Sequence, residues 1–187
     1  MTLSRAALCG VAAFLVAASA RAAQESPDTV AEEFYARYLT IGPGVPEPKE
    51  LSRIAPILSP SLLDLMKGAE AAEAAYAKAN AKEAVPPLVE GDLFSSLFEG
   101  ADKYKVGLCK VSDQNVLCAT LLSHSEGGVG SPKTTDWTDT LILAADKDGT
   151  WKVDDILFGG MWDFSRMGSL KDSLRDVIEE AKEATAP

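Results

Sequence analysis

Few residues in this chain have the types or spacing that chemistry needs. His124 is the only histidine among 187 residues. It abuts a glycine-rich stretch, residues 125–132 (SEGGVGSP), and reads as a lone surface residue. A catalytic triad needs its histidine within reach of a nucleophile and an acid, and no Gly-x-Ser-x-Gly motif supplies the nucleophile. A histidine-based metal site is excluded by count. Asp146, Asp148, Asp154 and Asp155 are close in sequence, but the closing Glu of a calcium-binding loop is absent. The glycine-rich stretch lacks the Gly-Lys-Ser/Thr of a phosphate loop and leads into a strand, where a phosphate loop would lead into a helix. No catalytic set, metal site or cofactor site is therefore expected.

Three residues remain as pocket candidates: Asp155, Asp92 and Tyr104. Asp155 is the one acid expected on an otherwise apolar sheet face, where it either lines a pocket or is solvated at a rim. Asp92 sits in an apolar segment, residues 88–100 (LVEGDLFSSLFEG), where it either caps a turn or faces a pocket. Tyr104 could supply the polar group of a cavity beneath the sheet. A carboxylate buried in such a cavity would have a raised pKa and could act as a general base.

Two further reactive residues, Cys109 and Cys118, lie in what reads as one hairpin. Residues 104–111 (YKVGLCKV) and 116–123 (VLCATLLS) are apolar, β-branched runs separated by Ser112-Asp113-Gln114-Asn115, a turn sequence. If Val111 faces Val116, then Cys109 faces Cys118, Leu108 faces Ala119 and Val106 faces Leu121. Directly opposed cysteines lie within disulfide reach. The C-x8-C spacing does not match a redox or zinc motif, so a structural disulfide is expected.

These residues need a sheet to position them. A second hairpin is expected over residues 138–145 and 150–158, joined by Asp146-Lys147-Asp148-Gly149 with Gly149 in the left-handed position. That loop sets Ala145 opposite Trp151, Leu143 opposite Val153 and Leu141 opposite Asp155. Lys152, Asp154 and Ile156 then point to the other face. One face is nearly all apolar, so helices are expected to cover it.

The helices are legible too. Ser26-Pro27 is a cap followed by a first-turn proline, and Val30, Phe34 and Tyr38 recur at helical spacing over residues 29–40. Residues 51–58 form a short helical turn interrupted by Pro56. Ser59-Pro60 repeats the cap signal, and residues 69–84 have high helix propensity with only alanine and Tyr76 on the apolar face. This segment reads as a solvated helical arm. Residues 88–100 read as a short helical turn or an irregular buried plug. Ser169 caps a C-terminal helix to about Ala184, with Leu170, Leu174, Val177, Ile178 and Ala181 on one face.

Composition sets the outer limits. Arg5, the apolar run 6–18 and the small residues after it read as a secretory signal peptide over residues 1–22. The run is too short to span a bilayer, and no other segment is long enough. The signal and the even number of cysteines after it agree on an oxidising compartment, periplasmic or secreted. The formal net charge is −10, falling to about −12 if Arg5 and Arg21 leave with the signal. Such an acidic surface argues against nucleic acid and anionic lipid. The expected organisation is one α+β domain over residues 28–184, a bent antiparallel sheet of about four strands packed on helices.

Broken helices followed by a sheet ending in Gly-Thr-Trp-Lys-Val-Asp-Asp-Ile resemble the nuclear transport factor 2-like superfamily. The closer resemblance is to an exported bacterial domain-of-unknown-function family within it, carried by the Gly91-Asp92 stretch and the strand from Trp151 to Ile156. It covers roughly residues 28–157. It implies a cone, a bent sheet wrapped on helices, often with a pocket. Enzymes of the superfamily, such as ketosteroid isomerases, place a carboxylate base and a tyrosine inside the cone. The long C-terminal helix departs from the plain cone. The expected function is an exported, non-catalytic domain that binds a small ligand or an envelope protein. The alternatives are a cone-fold enzyme with a pocket carboxylate base and an envelope inhibitor or immunity-type protein.

Overall fold

The structure, a computed structural model, describes residues 25–82, 86–127 and 133–185. The expected signal peptide lies outside the described residues. So does most of the glycine-rich stretch, from residue 128 to 132. The order of elements is α1 (Pro27–Tyr38), α2 (Pro48–Ile54), a single 3-10 turn (Ala55–Ile57), α3 (Pro60–Ala79), β1 (Lys103–Ser112), β2 (Asn115–Glu126), β3 (Lys133–Ala145), β4 (Trp151–Leu157) and α4 (Leu170–Ala184). Among the described residues the fold is α+β, with four α-helices and one antiparallel sheet in the order β1-β2-β3-β4.

Local chemistry starts the helices where expected. The Ser26 hydroxyl accepts from the Thr29 amide, Ser59 from Leu62 and Ser169 from Asp172. Each bond satisfies one of the amides that a helix leaves unpaired at its start. Pro27 and Pro60 occupy first-turn positions, where the missing N–H costs nothing. The alanine-rich arm is helical only to Ala79, and none of residues 71–79 is buried. It leans on α4, where Gly68 leaves room for Ile178: a Cβ at Gly68 would stand 3.0 Å from the Ile178 Cδ1.

The hairpin turns behave as their sequences dictate. Asp113 takes a left-handed φ of 54° and Gly149 one of 86°. Val111 pairs with Val116 and Cys109 with Cys118, 4.1 Å apart at Cα and joined as a disulfide. Beyond the cysteines the expected register fails. Gly107 and Leu108 together stand against Ala119, so Val106 meets Thr120 and Leu121 meets Lys105. The extra residue is a bulge, and glycine is needed in it, because a Cβ at Gly107 would lie 2.7 Å from the Ala119 carbonyl oxygen.

A second bulge overturns part of the second hairpin. Ala145 opposes Trp151 and Leu143 opposes Val153 as expected, but Ile142 then opposes Asp155 and Leu141 opposes Ile156. The extra residue is Asp154. Its carboxylate accepts from Ser59 (2.6 Å) and Ser61 (2.8 Å) and pairs with Lys171 at 2.7 Å. These tertiary partners hold the bulge, and one inserted residue exchanges the faces beyond it. Ile156, expected on the outer face, is fully buried, while Asp155 leaves the core row.

The core lies between the sheet's inner face and the helices. Val116, Cys118, Leu122, Trp137, Leu141, Leu143, Val153 and Ile156 meet Phe34 and Tyr35 of α1, Leu62 and Met66 of α3, and Leu170 and Leu174 of α4 in one cluster. Residues 86–101 have no regular secondary structure. Leu93 and Phe94 nonetheless enter the core, so this segment is the irregular plug that its composition suggests. Among the described residues no helix is long and apolar enough to cross a membrane.

Candidate functional site

The plug and the end of α1 border an open hollow of about 440 Å³. Its walls are mainly apolar, with Leu39, Ile41, Pro43 and Phe98 among them, and its polar floor is Asp92 with Tyr38. The two come together because α1 ends at Tyr38 with its ring turned into the core, stacked at 6.5 Å on Phe34 and edge-on to Phe94 at 5.9 Å. The Tyr38 hydroxyl donates to the Asp92 Oδ2 at 3.1 Å and accepts from the Ala101 amide at 2.9 Å. The Asp92 Oδ1 accepts from the Phe94 amide at 2.8 Å, the Asx geometry expected of a capping Asp, although no helix follows. Gly100 closes the plug over the pair. It takes a φ of 76°, and a Cβ there would stand 2.7 Å from the Asp92 Oδ2.

Burial disfavours charge on Asp92. Its pKa rises from the ordinary carboxylate range to about 6; the Phe94 amide, the Tyr38 hydroxyl and the nearby Arg166 limit the rise. Burial, and then the negative charge of Asp92, push Tyr38 far above the usual phenol range. The pair therefore has one group that titrates near neutrality and one that keeps its proton.

The other two sequence candidates are not part of this floor. The Asp155 Oδ1 accepts from the Lys171 amide at 2.9 Å and from its neighbour Ile156 at 2.8 Å. It is half-buried and serves the start of α4 as a second cap. Tyr104 stacks on Tyr35 at 5.5 Å and donates to the Glu32 carbonyl at 3.4 Å, on the flank of α1. His124 is half-buried on β2. Leu141 and Val153, on the sheet face where Asp155 was read as either lining a pocket or solvated at a rim, are fully buried in the core cluster.

Sequence reasoning missed a second buried acid. Asp139 on β3 is fully buried. Its carboxylate accepts from the Ser96 amide (3.0 Å), the Ser96 hydroxyl, the Trp137 indole N–H (3.1 Å) and the Gly159 amide (2.9 Å). These four donors come from the plug, from β3 itself and from the exit of β4. The signal was present: Trp137, Asp139, Leu141 and Leu143 alternate on one face, so an acid stands in an inward row. Nearby, the buried hydroxyls of Tyr35 and Thr120 face each other without reaching hydrogen-bonding geometry. Arg166 completes the plug's attachment. Its guanidinium donates to the Asp92 carbonyl oxygen at 2.9 Å and lies 5.7 Å over the Phe158 ring.

The site thus defines a small disulfide-stapled α+β domain whose irregular plug, clamped from two sides, bounds a mainly apolar hollow with Asp92 at its base and Glu99 in its wall. No protein-family model, curated protein or solved structure matches this chain.

Proposed function

We propose that the protein is an exported binding domain of the nuclear transport factor 2-like type, working in the periplasm or outside the cell. In this reading it takes a small, largely apolar ligand in the hollow beside Asp92 and does not turn it over. The observation that carries the reading is the Asp92–Tyr38 floor within a mainly apolar hollow that has Glu99 as its other acid, a few polar groups among apolar walls being the usual composition of a ligand site. Asp92 has two hydrogen bonds and room for another donor, which suits an alcohol or amine group on the ligand. Tyr38 is committed to Asp92 and Ala101 and does not release its proton, so the hollow lacks an acid to pair with a base. The disulfide and the signal-like start support the compartment.

The test is an amide NMR titration of the protein recovered from the periplasm of an expressing bacterium, with a set of small alicyclic and aromatic alcohols and amines. Saturable shifts at Gly91, Gly100 and Ala101 that weaken in Asp92→Asn support the reading. Absence of shifts at these amides across the set refutes it.

One observation favours a second reading. The pKa of Asp92, about 6, suits a general base near neutral pH, as in a cone-fold enzyme that removes a proton next to a carbonyl. Solvent deuterium incorporated into a bound cyclic ketone, and lost in Asp92→Asn, would select this reading over the first.

A further inference from the structure

A different surface carries an inference independent of the hollow. The chain between β4 and α4, residues 158–169, is anchored at its base and exposed at its tip. At the base, the Gly160 amide donates to the Ser96 hydroxyl at 3.0 Å and the Arg166 amide donates to the Ser96 carbonyl at 3.0 Å. Trp162 packs edge-on against Trp137 at 6.0 Å, and the Ser165 hydroxyl donates to the Gly160 carbonyl at 3.0 Å. At the tip, Met161 is 97 % exposed, Met167 71 % and Phe98 of the plug 57 %, while the Phe164 ring is wholly in solvent. Phe164 also holds a φ of 68°, a conformation bulky side chains rarely adopt. A rigid base under exposed aromatic and thioether side chains is pre-organised for contact, and apolar groups gathered in this way mark interaction surfaces.

The surroundings say what kind of contact. Phe164 stands between two hollows, one of about 450 Å³ beside Trp162 and one of about 210 Å³ beside Arg166, with Phe98 bordering both. Each has room for apolar side chains placed either side of the Phe164 ring. The larger is rimmed by Glu99, Glu126 and Asp163, opposed by Lys133. Arg166 does not offset them, because its guanidinium is turned inward to the Asp92 carbonyl and the Phe158 ring. The rim is net acidic on a chain of formal charge −10. A second copy would bring the same acids, and an anionic lipid surface would be repelled. A cationic partner fits both the charge and the apolar centre.

We propose that Phe164, Met161, Met167 and Phe98 form a docking knuckle for a cationic amphipathic segment of a partner protein, whose apolar side chains straddle Phe164 while its Lys or Arg residues meet Glu126 and Asp163. Full burial of one Phe ring supplies about tenfold to a hundredfold in affinity, so Phe164 is the anchor.

The experiment uses calorimetric titration of the same periplasmic preparation. The probes are a helical Leu/Lys peptide, its Leu/Glu twin and vesicles of mixed phosphatidylglycerol and phosphatidylethanolamine. The Leu/Lys peptide should bind at least tenfold more tightly than the twin. Phe164→Gly should weaken it at least tenfold while leaving the melting temperature equal or higher, because glycine accepts the positive φ. The double variant Glu126→Lys/Asp163→Lys should shift the preference towards the Leu/Glu peptide, whereas Asp92→Asn should leave it unchanged. Equal binding of the two peptides, undiminished binding by Phe164→Gly, or Phe164-dependent binding to the vesicles would overturn the proposal. So would a Phe164-dependent dimer in sedimentation.

Discussion

Replacing Asp92 with Asn separates burial of a charge from every other pH effect in the fold. The folded pKa of about 6 lies above the ordinary aspartate value of 3.8. Between these values the folded state binds more protons than the unfolded state, so this group makes stability fall as pH rises. The loss is absent well below pH 3.8 and complete above pH 6. Over the interval from pH 4 to pH 7 the linkage relation gives a loss of about 2 kcal/mol. Asn keeps an acceptor for the Phe94 amide but does not titrate. The stability of Asp92→Asn relative to the parent should therefore climb by about 2 kcal/mol from pH 4 to pH 7, whatever its constant offset. Urea unfolding followed by tryptophan fluorescence at half-unit pH steps measures this difference, with other carboxylates cancelling between the two proteins. A relative stability flat across the interval would show that Asp92 is ionised at no cost, and the account of the floor would be wrong.

Three other outcomes follow from the geometry. Asp139→Ala leaves the Ser96 and Gly159 amides and the Trp137 indole without their buried acceptor and should cost about 3–5 kcal/mol; a cost under about 1 kcal/mol in urea unfolding would deny it the role of anchor. Asp155→Ala should cost about 1 kcal/mol, the price of a helix cap, and should not alter ligand-induced shifts at Gly100. Reducing the Cys109–Cys118 disulfide should lower stability by no more than about 2 kcal/mol, because it spans a short loop already held by the hairpin; global unfolding seen by circular dichroism on adding dithiothreitol would contradict this.

What the sequence discloses is what neighbouring residues decide among themselves. The caps at Ser26, Ser59 and Ser169, the turn at Gly149 and the pairing of Cys109 with Cys118 depend on residues a few positions apart, and all are found as read. The two bulges are not local in that sense. Asp154 is extruded to meet Ser59 and Ser61, more than ninety positions away, and only their arrival moves Asp155 off the core row. Asp92 is recognisable as an acid in an apolar run, but its partner Tyr38 has the same spacing as any core residue of α1. The rotation that brings them together belongs to the packed molecule. Asp139 could have been found from its inward row on β3. Its donors could not, because Ser96 and Gly159 come from segments with no period to read.

The clamp on Ser96 also has a consequence in time. Ser96 is fastened by Asp139, by the Gly160 amide at a separation of 64 positions and by Arg166 beyond it. A chain that emerges amino-terminus first therefore presents Leu93 and Phe94 to its surroundings before any part of that clasp exists. Asp139, the first part of the clasp to be made, follows Ser96 by 43 positions, which at ordinary synthesis speeds of about 5–20 residues per second is an interval of roughly 2–9 s. During it the helices can form but the plug has nowhere to lock, so the molecule's first half waits on its last quarter. Whatever keeps those side chains from sticking elsewhere acts in that window.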